Sequence, residues 1–324
     1  MLRRLGCIVL AGAAALMLLI GGNFYWGWTA SGPAAEEMAV VIPAGSSLAS
    51  AARVLEEKGA ISSAGAFLNR ARVFGGSDPI KAGEFIIPAG ASNAQILDIL
   101  QGSEVIRRMV TVPEGMPSIL VHEKLMAQEL LTGEVPVPEE GSILPESYSF
   151  ERGEKRIAVM LRMQKAMQDT IAELWPSRSP DTVVKTPQEA VILAAIVEKE
   201  TGKASERRMI AGVYSNRIRK GMMLQADPTI IYPITRGKPL GRRIRQSEIS
   251  AVNDYNTYAM TGLPKGPITN PGRASIEAVL NPARTDALYF VADGTGGHVF
   301  ASTLADHNRN VEKWFAIRRA RGEM

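Results

Sequence analysis

Residues 186–202 read TPQEAVILAAIVEKETG. Thr186 is a natural helix N-cap, Pro187 suits the first helical position, and Glu189 completes a capping-box pattern. From Ala190 to Val197 every residue is apolar, so no face is left for water and the helix is expected at the centre of a domain. Gly202 is the expected stop. Two carboxylates, Glu198 and Glu200, close this helix. Burial disfavours the ionised form of a carboxyl group, and a glutamic acid kept protonated near neutral pH is what general acid catalysis requires. The two lie about 200° apart on a helical wheel, so only one can aim into a given cleft. Glu198 shares its face with Val191, Ala194 and Ala195, whose small side chains leave room for a ligand. Glu200 falls with the bulkier Leu193, Ile196 and Val197. The plain alternative for either is a solvated or salt-bridged residue at a helix end.

Working outward, a second helix is expected from a Ser205 cap to Lys220, with Gly221 as its stop; Ile210, Val213 and Arg217 share one face with Tyr214. Residues 222–232, MMLQADPTIIY, read as a loop entering a short strand, with Gln225 and Asp227 beside Pro228. Upstream, residues 157–174 have helical periodicity and 141–150 read as an extended, partly buried segment. A short echo runs through the first third of the chain: VVIPAG at 40–45, FIIPAG at 85–90 and VTVPEG at 110–115. Each is a β-rich run closed by a Pro-x-Gly turn. Ser46 or Ser47, and Ser92, are placed to cap the helices that follow. A strand-helix-helix-strand unit over 40–87 is the natural reading. It is similar to a LysM-type module, a small fold that grips N-acetyl sugars; a plain spacer domain is the alternative.

At the N-terminus, Arg3 and Arg4 precede an uncharged run from Leu5 to Gly22, and Phe24, Tyr25, Trp26 and Trp28 follow. These 18 residues reach about 27 Å as a helix, close to the hydrocarbon thickness of a bilayer. The arginines suit the cytoplasmic side and the aromatics the far interface. A retained single-pass anchor is expected, with the rest of the chain outside the cytoplasm. A cleaved signal peptide would have a shorter apolar core and a clearer small-x-small site. A lipoprotein signal would place its apolar run before Cys7, not after it.

Composition narrows the function. The 324 residues suffice for two modest domains plus an anchor, and a net charge of +4 is mild. No basic run interleaved with aromatics points to nucleic acid. One cysteine excludes an intrachain disulfide framework. The three histidines, His122, His298 and His307, lack zinc-helix spacing, and no glycine-rich phosphate loop is present, so neither a metal nor a cofactor is expected.

The motifs IVEKET (196–201), ASE (204–206), VYSNR (213–217), LQADPT (224–229), YNTY (255–258), GLPKGPI (262–268), NPG (270–272), LYFVA (288–292), GHVF (297–300) and the His307-Asn308 pair together resemble the YceG-like family of endolytic murein transglycosylases. The resemblance spans nearly the whole chain; Lys265 and Asp306 depart from the residues common in the family, with consequences only for local loop shape. It implies an α+β architecture: cytoplasmic tip and transmembrane helix at 1–28, linker at 29–38, small LysM-like βααβ module at 39–105, and mixed α/β catalytic domain at 106–324. It further implies a lytic transglycosylase of the bacterial inner membrane that cuts nascent peptidoglycan glycan strands, with Glu198 as the catalytic glutamate and wall synthases as partners. Candidate glycan-holding residues are Asn216, Gln225, Asp227, Asn256, Tyr258 and Asn270, whose amides and hydroxyls suit acetamido and hydroxyl groups. His298 and His307 are expected to be structural. A muramidase-type hydrolase using Asp227 as second carboxylate, or a non-catalytic glycan-binding scaffold, are the competing readings. A pyridoxal-phosphate lyase is disfavoured for want of a phosphate cup.

Overall fold

The computed structural model describes residues 2–102 and 104–323. The chain divides into two compact units, Met1–Arg108 with Phe150–Gly153, and Met109–Ser149 with Glu154–Met324.

In the first unit, helix α1 (Leu2–Thr29) is followed by β1 (Met38–Ile42), α2 (Leu48–Glu57), α3 (Ala64–Phe74), β2 (Gly83–Ile87) and α4 (Asn93–Gln101). The side chains of α1 described before its last turn point outward: Ile8, Leu10 and Leu16 to Ile20 are all exposed. The stretch Leu10–Thr29 is long and apolar enough to cross a membrane. Its last turn is not free. Trp28 is buried, 6.1 Å from Phe67 between ring centroids, and Phe24 and Tyr25 each sit 5.6 Å from Phe74. Of the aromatics expected at the interface, Trp26 is the most exposed. The residues expected as a polar linker are stitched down too: Gly32 N–H donates to Gly90 O (3.1 Å) and Gly90 N–H to Ala34 O (2.8 Å).

β1 and β2 pair antiparallel, Met38 opposite Ile87 and Ile42 opposite Gly83, and α2 and α3 connect them, which makes the strand-helix-helix-strand unit. Val40, Ile42, Leu55, Phe67, Phe85, Ile87, Ile96 and Leu100 form its core. Ser47 caps α2, and Ser92 forms a full capping box with Gln95 on α4. The echoed Pro-x-Gly turns share one geometry: Gly45, Gly90 and Gly115 lie at φ of +77°, +66° and +72°, a region that glycine enters without steric cost.

The second unit contains most of β3 (Arg107–Thr111), α5 (Ser118–Met126), most of β4 (Ser147–Glu151), α6 (Arg156–Leu174), α7 (Pro187–Glu200), α8 (Arg207–Arg219), α9 (Pro228–Thr235), α10 (Gln246–Ile249), α11 (Arg273–Leu280), β5 (Tyr289–Ala292), β6 (His298–Ala301) and α12 (Leu304–Ala320). Its strands form two-stranded sheets, β3 with β4 and β5 with β6. α7 is the core element: Ala190 through Val197 are all buried, packed against α8 and α11. Thr186 accepts from Glu189 N–H as its N-cap.

Two local expectations are corrected. α8 does not start from a Ser205 cap; a 3-10 turn over Ala204–Glu206 leads into it, and the Glu206 side chain is spent on His298. The segment after Asp227 is helix α9 and not a strand. Pro228, at the first helical position, presets φ for a helix and outweighs the β-branched Thr229-Ile-Ile run.

Within the first unit, Glu84 is 6% exposed and accepts from Arg108 Nη1 (2.7 Å) and Arg152 Nε (2.9 Å). Hydrogen bonds from Arg108, then Arg152, hold its carboxyl below the usual glutamate range. A folded-state pKa below the unfolded value contributes stability above the unfolded pKa and loses it as pH falls through the folded one. Both arginines are about a third exposed, so solvent screens part of the effect. Glu84→Gln should therefore lower the melting temperature at pH 7, with the gap from wild type closing as pH drops below about 4 in thermal unfolding scans.

Candidate active site

The end of α7 carries two carboxylates in opposite circumstances. Glu198, 4% exposed at its side chain, is committed at both oxygens. Oε1 pairs with Arg207 Nη2 (3.4 Å), and Oε2 accepts from the Gly272 amide (2.9 Å). Arg207 also pairs with Glu114 at 2.7 Å, so Glu198 belongs to a clamp that ties the 113–115 turn to the starts of α8 and α11. In this arrangement both of its oxygens act as hydrogen-bond acceptors.

Glu200 faces a cavity of about 290 Å³. Tyr214 and Arg217 from α8 line one side, and Leu224, Gln225 and Asp227 from the loop before α9 line the floor. Tyr258, Phe290 and His307 complete it. Glu200 Oε1 is buried without a hydrogen-bond partner. Burial pushes its carboxyl up to about 7; the neighbouring Asp227 pushes the same way, while the Tyr214 hydroxyl and the Arg217 charge pull partly back. A site half-protonated near neutrality is suited to giving and retrieving one proton.

The floor is held rigidly. Arg217, 8% exposed, donates from Nη1 to Leu224 O (2.8 Å) and Met223 O (3.2 Å) and from Nε to Leu288 O (2.7 Å). Buried hydroxyls stitch the floor to the 256–258 loop: Ala226 N–H donates to Thr257 Oγ1 (3.0 Å), and the Thr229 and Thr257 hydroxyls share a 2.9 Å hydrogen bond. Gln225 sits at φ +55°, strained for a residue with a Cβ, and its N–H donates to Thr257 O (3.1 Å). Tyr258 donates its hydroxyl to Asp227 Oδ1 at 2.6 Å, and burial with this bond raises its pKa.

Of the six residues expected to hold glycan, Gln225, Asp227 and Tyr258 meet in this cavity. The three asparagines lie elsewhere. Asn256 is fully buried and caps α10, donating to the carbonyls of Glu248 (3.3 Å), Ile249 (2.9 Å) and Ala251 (2.7 Å). Asn270, also fully buried, donates to Met116 O (2.9 Å) and accepts from Ile143 N–H (3.0 Å). Asn216 donates to Thr285 O (2.8 Å) and Ala287 O (3.0 Å) at a separate cavity. His298 is structural, bonded through Nδ1 to Glu206 at 2.8 Å. His307, expected to be structural, lines the cavity and stacks on Tyr289 at 5.2 Å; burial lowers its pKa.

Sequence reasoning weighed Glu200 against Glu198 and favoured Glu198, and it passed over Tyr214, Arg217 and His307 as cavity residues. The usable signal was the spacing of Tyr214 and Arg217, three apart on one helix face with no acidic partner in their own helix. A second carboxyl pushed up to about 7 by burial, Glu140, accepts from Ser118 N–H (2.8 Å) and does not line the cavity.

Residues 40–313 match the model of the YceG-like family, and the chain belongs to that family. A Bacillus subtilis protein described as an endolytic murein transglycosylase is 27% identical over 92% of both chains. A Streptococcus pneumoniae protein of the same description is 35% identical over 53% of this chain and 31% of its own length. A crystal structure of a yceG-like protein from Listeria monocytogenes, 27% identical, superposes with a TM-score of 0.53 over 85% of this chain and 99% of that one.

Asn256→Ala strands three carbonyls at the end of α10, which costs about 1–3 kcal/mol. The variant should melt earlier while keeping the wild-type KM for glycan strands; a raised KM with unchanged melting would return Asn256 to the substrate.

Proposed function

We propose that the chain is a membrane-anchored endolytic lytic transglycosylase that cleaves the β-1,4 bond between N-acetylmuramic acid and N-acetylglucosamine in nascent peptidoglycan. Its acid is Glu200 and not Glu198. The observation that carries this is the contrast within three residues of α7: Glu200 is desolvated, raised to about 7 and faces a polar cavity, whereas both oxygens of Glu198 are occupied.

The chemistry follows from one carboxyl group. Protonated Glu200 gives its proton to the bridging oxygen, the bond from muramyl C1 to that oxygen breaks, and the N-acetylglucosamine end leaves as an alcohol. Positive charge develops on the muramyl ring. The Glu200 carboxylate then takes the proton of the C6 hydroxyl as O6 bonds to C1, closing a 1,6-anhydro ring and restoring the acid without consuming water. Asp227, steadied by the Tyr258 hydroxyl, supplies negative charge near the developing cation. Gln225 and Arg217 present a fixed amide and a fixed charge to the sugar substituents. The competing hydrolase would use Asp227 to activate water. The exposed apolar helix α1 supports a single-pass anchor, with Arg3 and Arg4 at its cytoplasmic end and the chain after α1 outside the cytoplasm. The βααβ unit is read as a LysM-like grip on N-acetyl sugars. Glycan strands are the substrate, wall synthases are the partners, and strand length is what the cut sets.

The test is the product. Wild-type protein incubated with uncrosslinked strands should yield fragments lighter by one water than hydrolysis gives, with anhydro ends in mass spectra. Loss of general acid catalysis costs about 10²- to 10⁴-fold, so Glu200→Gln should yield essentially none. Glu198→Gln should still cut, with reduced thermal stability. Reducing ends would make the enzyme a hydrolase; an inactive but folded Glu198→Gln beside an active Glu200→Gln would reverse the assignment.

The pH profile has a fixed sign. Glu200 acts when protonated and its pKa is raised to about 7, so kcat/KM should fall about tenfold per pH unit above that value. Glu140 titrates in the same range, and Glu140→Gln should leave that limb in place.

A further inference from the structure

We propose that the first unit carries a phospholipid-headgroup site at the outer end of α1, in which Arg70 binds the phosphodiester of a lipid in the leaflet that α1 leaves. The inference rests on the reading of α1 as a membrane span.

The geometry starts from the length of that span. The uncharged run Leu5–Gly22 measures about 27 Å as a helix, close to the hydrocarbon thickness, so Trp26 and Gly27, just beyond its end, lie at the level of the lipid headgroups. A cavity of about 270 Å³ opens there, with Trp26 and Gly27 on one wall and Ser62, Ser63, Arg70 and Asn93 on the other. The Arg70 guanidinium lies against the bare Cα of Gly27 and 5.7 Å from the Phe24 ring centroid. Its Nε is buried without a hydrogen-bond partner, and among the described residues no carboxylate pairs with it. A guanidinium shielded from water on one edge and lacking an anion is poised to take one, and its fork matches the oxygens of a phosphate.

The neighbouring groups fit the same ligand. The Ser63 hydroxyl accepts from Ala66 N–H and keeps its own proton for a further acceptor. Asn93 is fixed by its bond to Gly27 O at 2.8 Å. No acidic side chain lines the cavity. Beside it the surface turns apolar: Val73 is 64% and Phe74 38% exposed at the end of α3, next to Tyr25 and Trp26, exposed by 57% and 67%. A cationic pocket rimmed by aromatic and aliphatic groups at headgroup depth matches a lipid, whose phosphate enters the pocket while its acyl chains run along the rim. The consequence is that the βααβ unit is held to the bilayer surface by lipid as well as by its packing on α1.

Full-length chain in a phosphate-free maltoside detergent, titrated with phosphatidylglycerol and read by native mass spectrometry, tests this. Wild type should retain one lipid. Arg70→Gln should weaken retention at least about fivefold. Gly27→Ala should weaken it as well with the charge unchanged, because a Cβ there would stand 2.6 Å from Arg70 Cζ and push the guanidinium aside. Arg72→Gln, one exposed charge further along α3, should retain lipid as wild type does. Equal retention by Arg70→Gln and wild type, equal loss in Arg72→Gln, or displacement of the lipid by equimolar inorganic phosphate would overturn the proposal. Carbonate extraction of membranes separates the two failures: release of wild-type chain removes the anchor reading and this inference with it, while a retained chain with unchanged Arg70→Gln binding removes this inference alone.

Discussion

Desolvation of one carboxyl group, Glu200, is the constraint that the proposed chemistry of the second unit depends on. A helix that is apolar on every face has to be covered on every face, and α7 is, by α8, α11 and the elements around them. Carrying that helix one turn past its apolar run brings a glutamate to the edge of the core, where water no longer solvates the charged form fully. Two residues earlier, the same helix presents Glu198 to a cation and a backbone amide. Identical side chains thus take different work from their surroundings, one tying loops together and one keeping a proton near neutral pH.

A group of this kind is useful only if its neighbours stay fixed, and the cavity floor is built for that. Arg217 spends its donors on the carbonyls of Leu224 and Leu288 instead of on a carboxylate. The result is a buried cation that orders the backbone and leaves Asp227 free to pair with Tyr258. The left-handed Gln225 fits the same pattern, since strain of this kind persists where surrounding bonds over-determine the backbone. Thr257 supplies that over-determination, its carbonyl accepting from Gln225 N–H and its hydroxyl from Ala226 N–H, while the buried Asn256 and Asn270 pin the same stretch to the carbonyls of Ile249 and Met116.

Much of the fold was legible in the sequence because its signals are local. The Thr186-Pro187 start of α7, the serine caps of α2 and α4, and the repeated Pro-x-Gly turns are each decided by a few adjacent residues, and the unbroken apolar run of α7 announces burial. Where two local signals compete, as at 228–235, the β-branched run suggested a strand while proline at the first helical position set a helix. The site was less legible for a different reason. A helical wheel separates Glu198 from Glu200 but does not say which side is open. Small residues beside Glu198 suggested space, yet Arg207 and the turn holding Glu114 and Gly115, 83 residues or more from Glu198, fill it. Amide side chains in loops were likewise ambiguous between sugar and backbone, and only long-range contacts such as Asn270 with Met116 decide. The aromatics after α1 illustrate the same limit: composition placed them at an interface, while Trp28 is held by Phe67, 39 residues away.

The most direct measurement is the ionisation of Glu200 itself, read as the carboxyl infrared band that is present in wild type and missing from Glu200→Gln across a pH series. A protonated band that disappears with a midpoint near 7 is the result predicted here; a midpoint near the ordinary glutamate value of 4.5 would contradict it, because the group would then be ionised throughout the range in which an acid is needed.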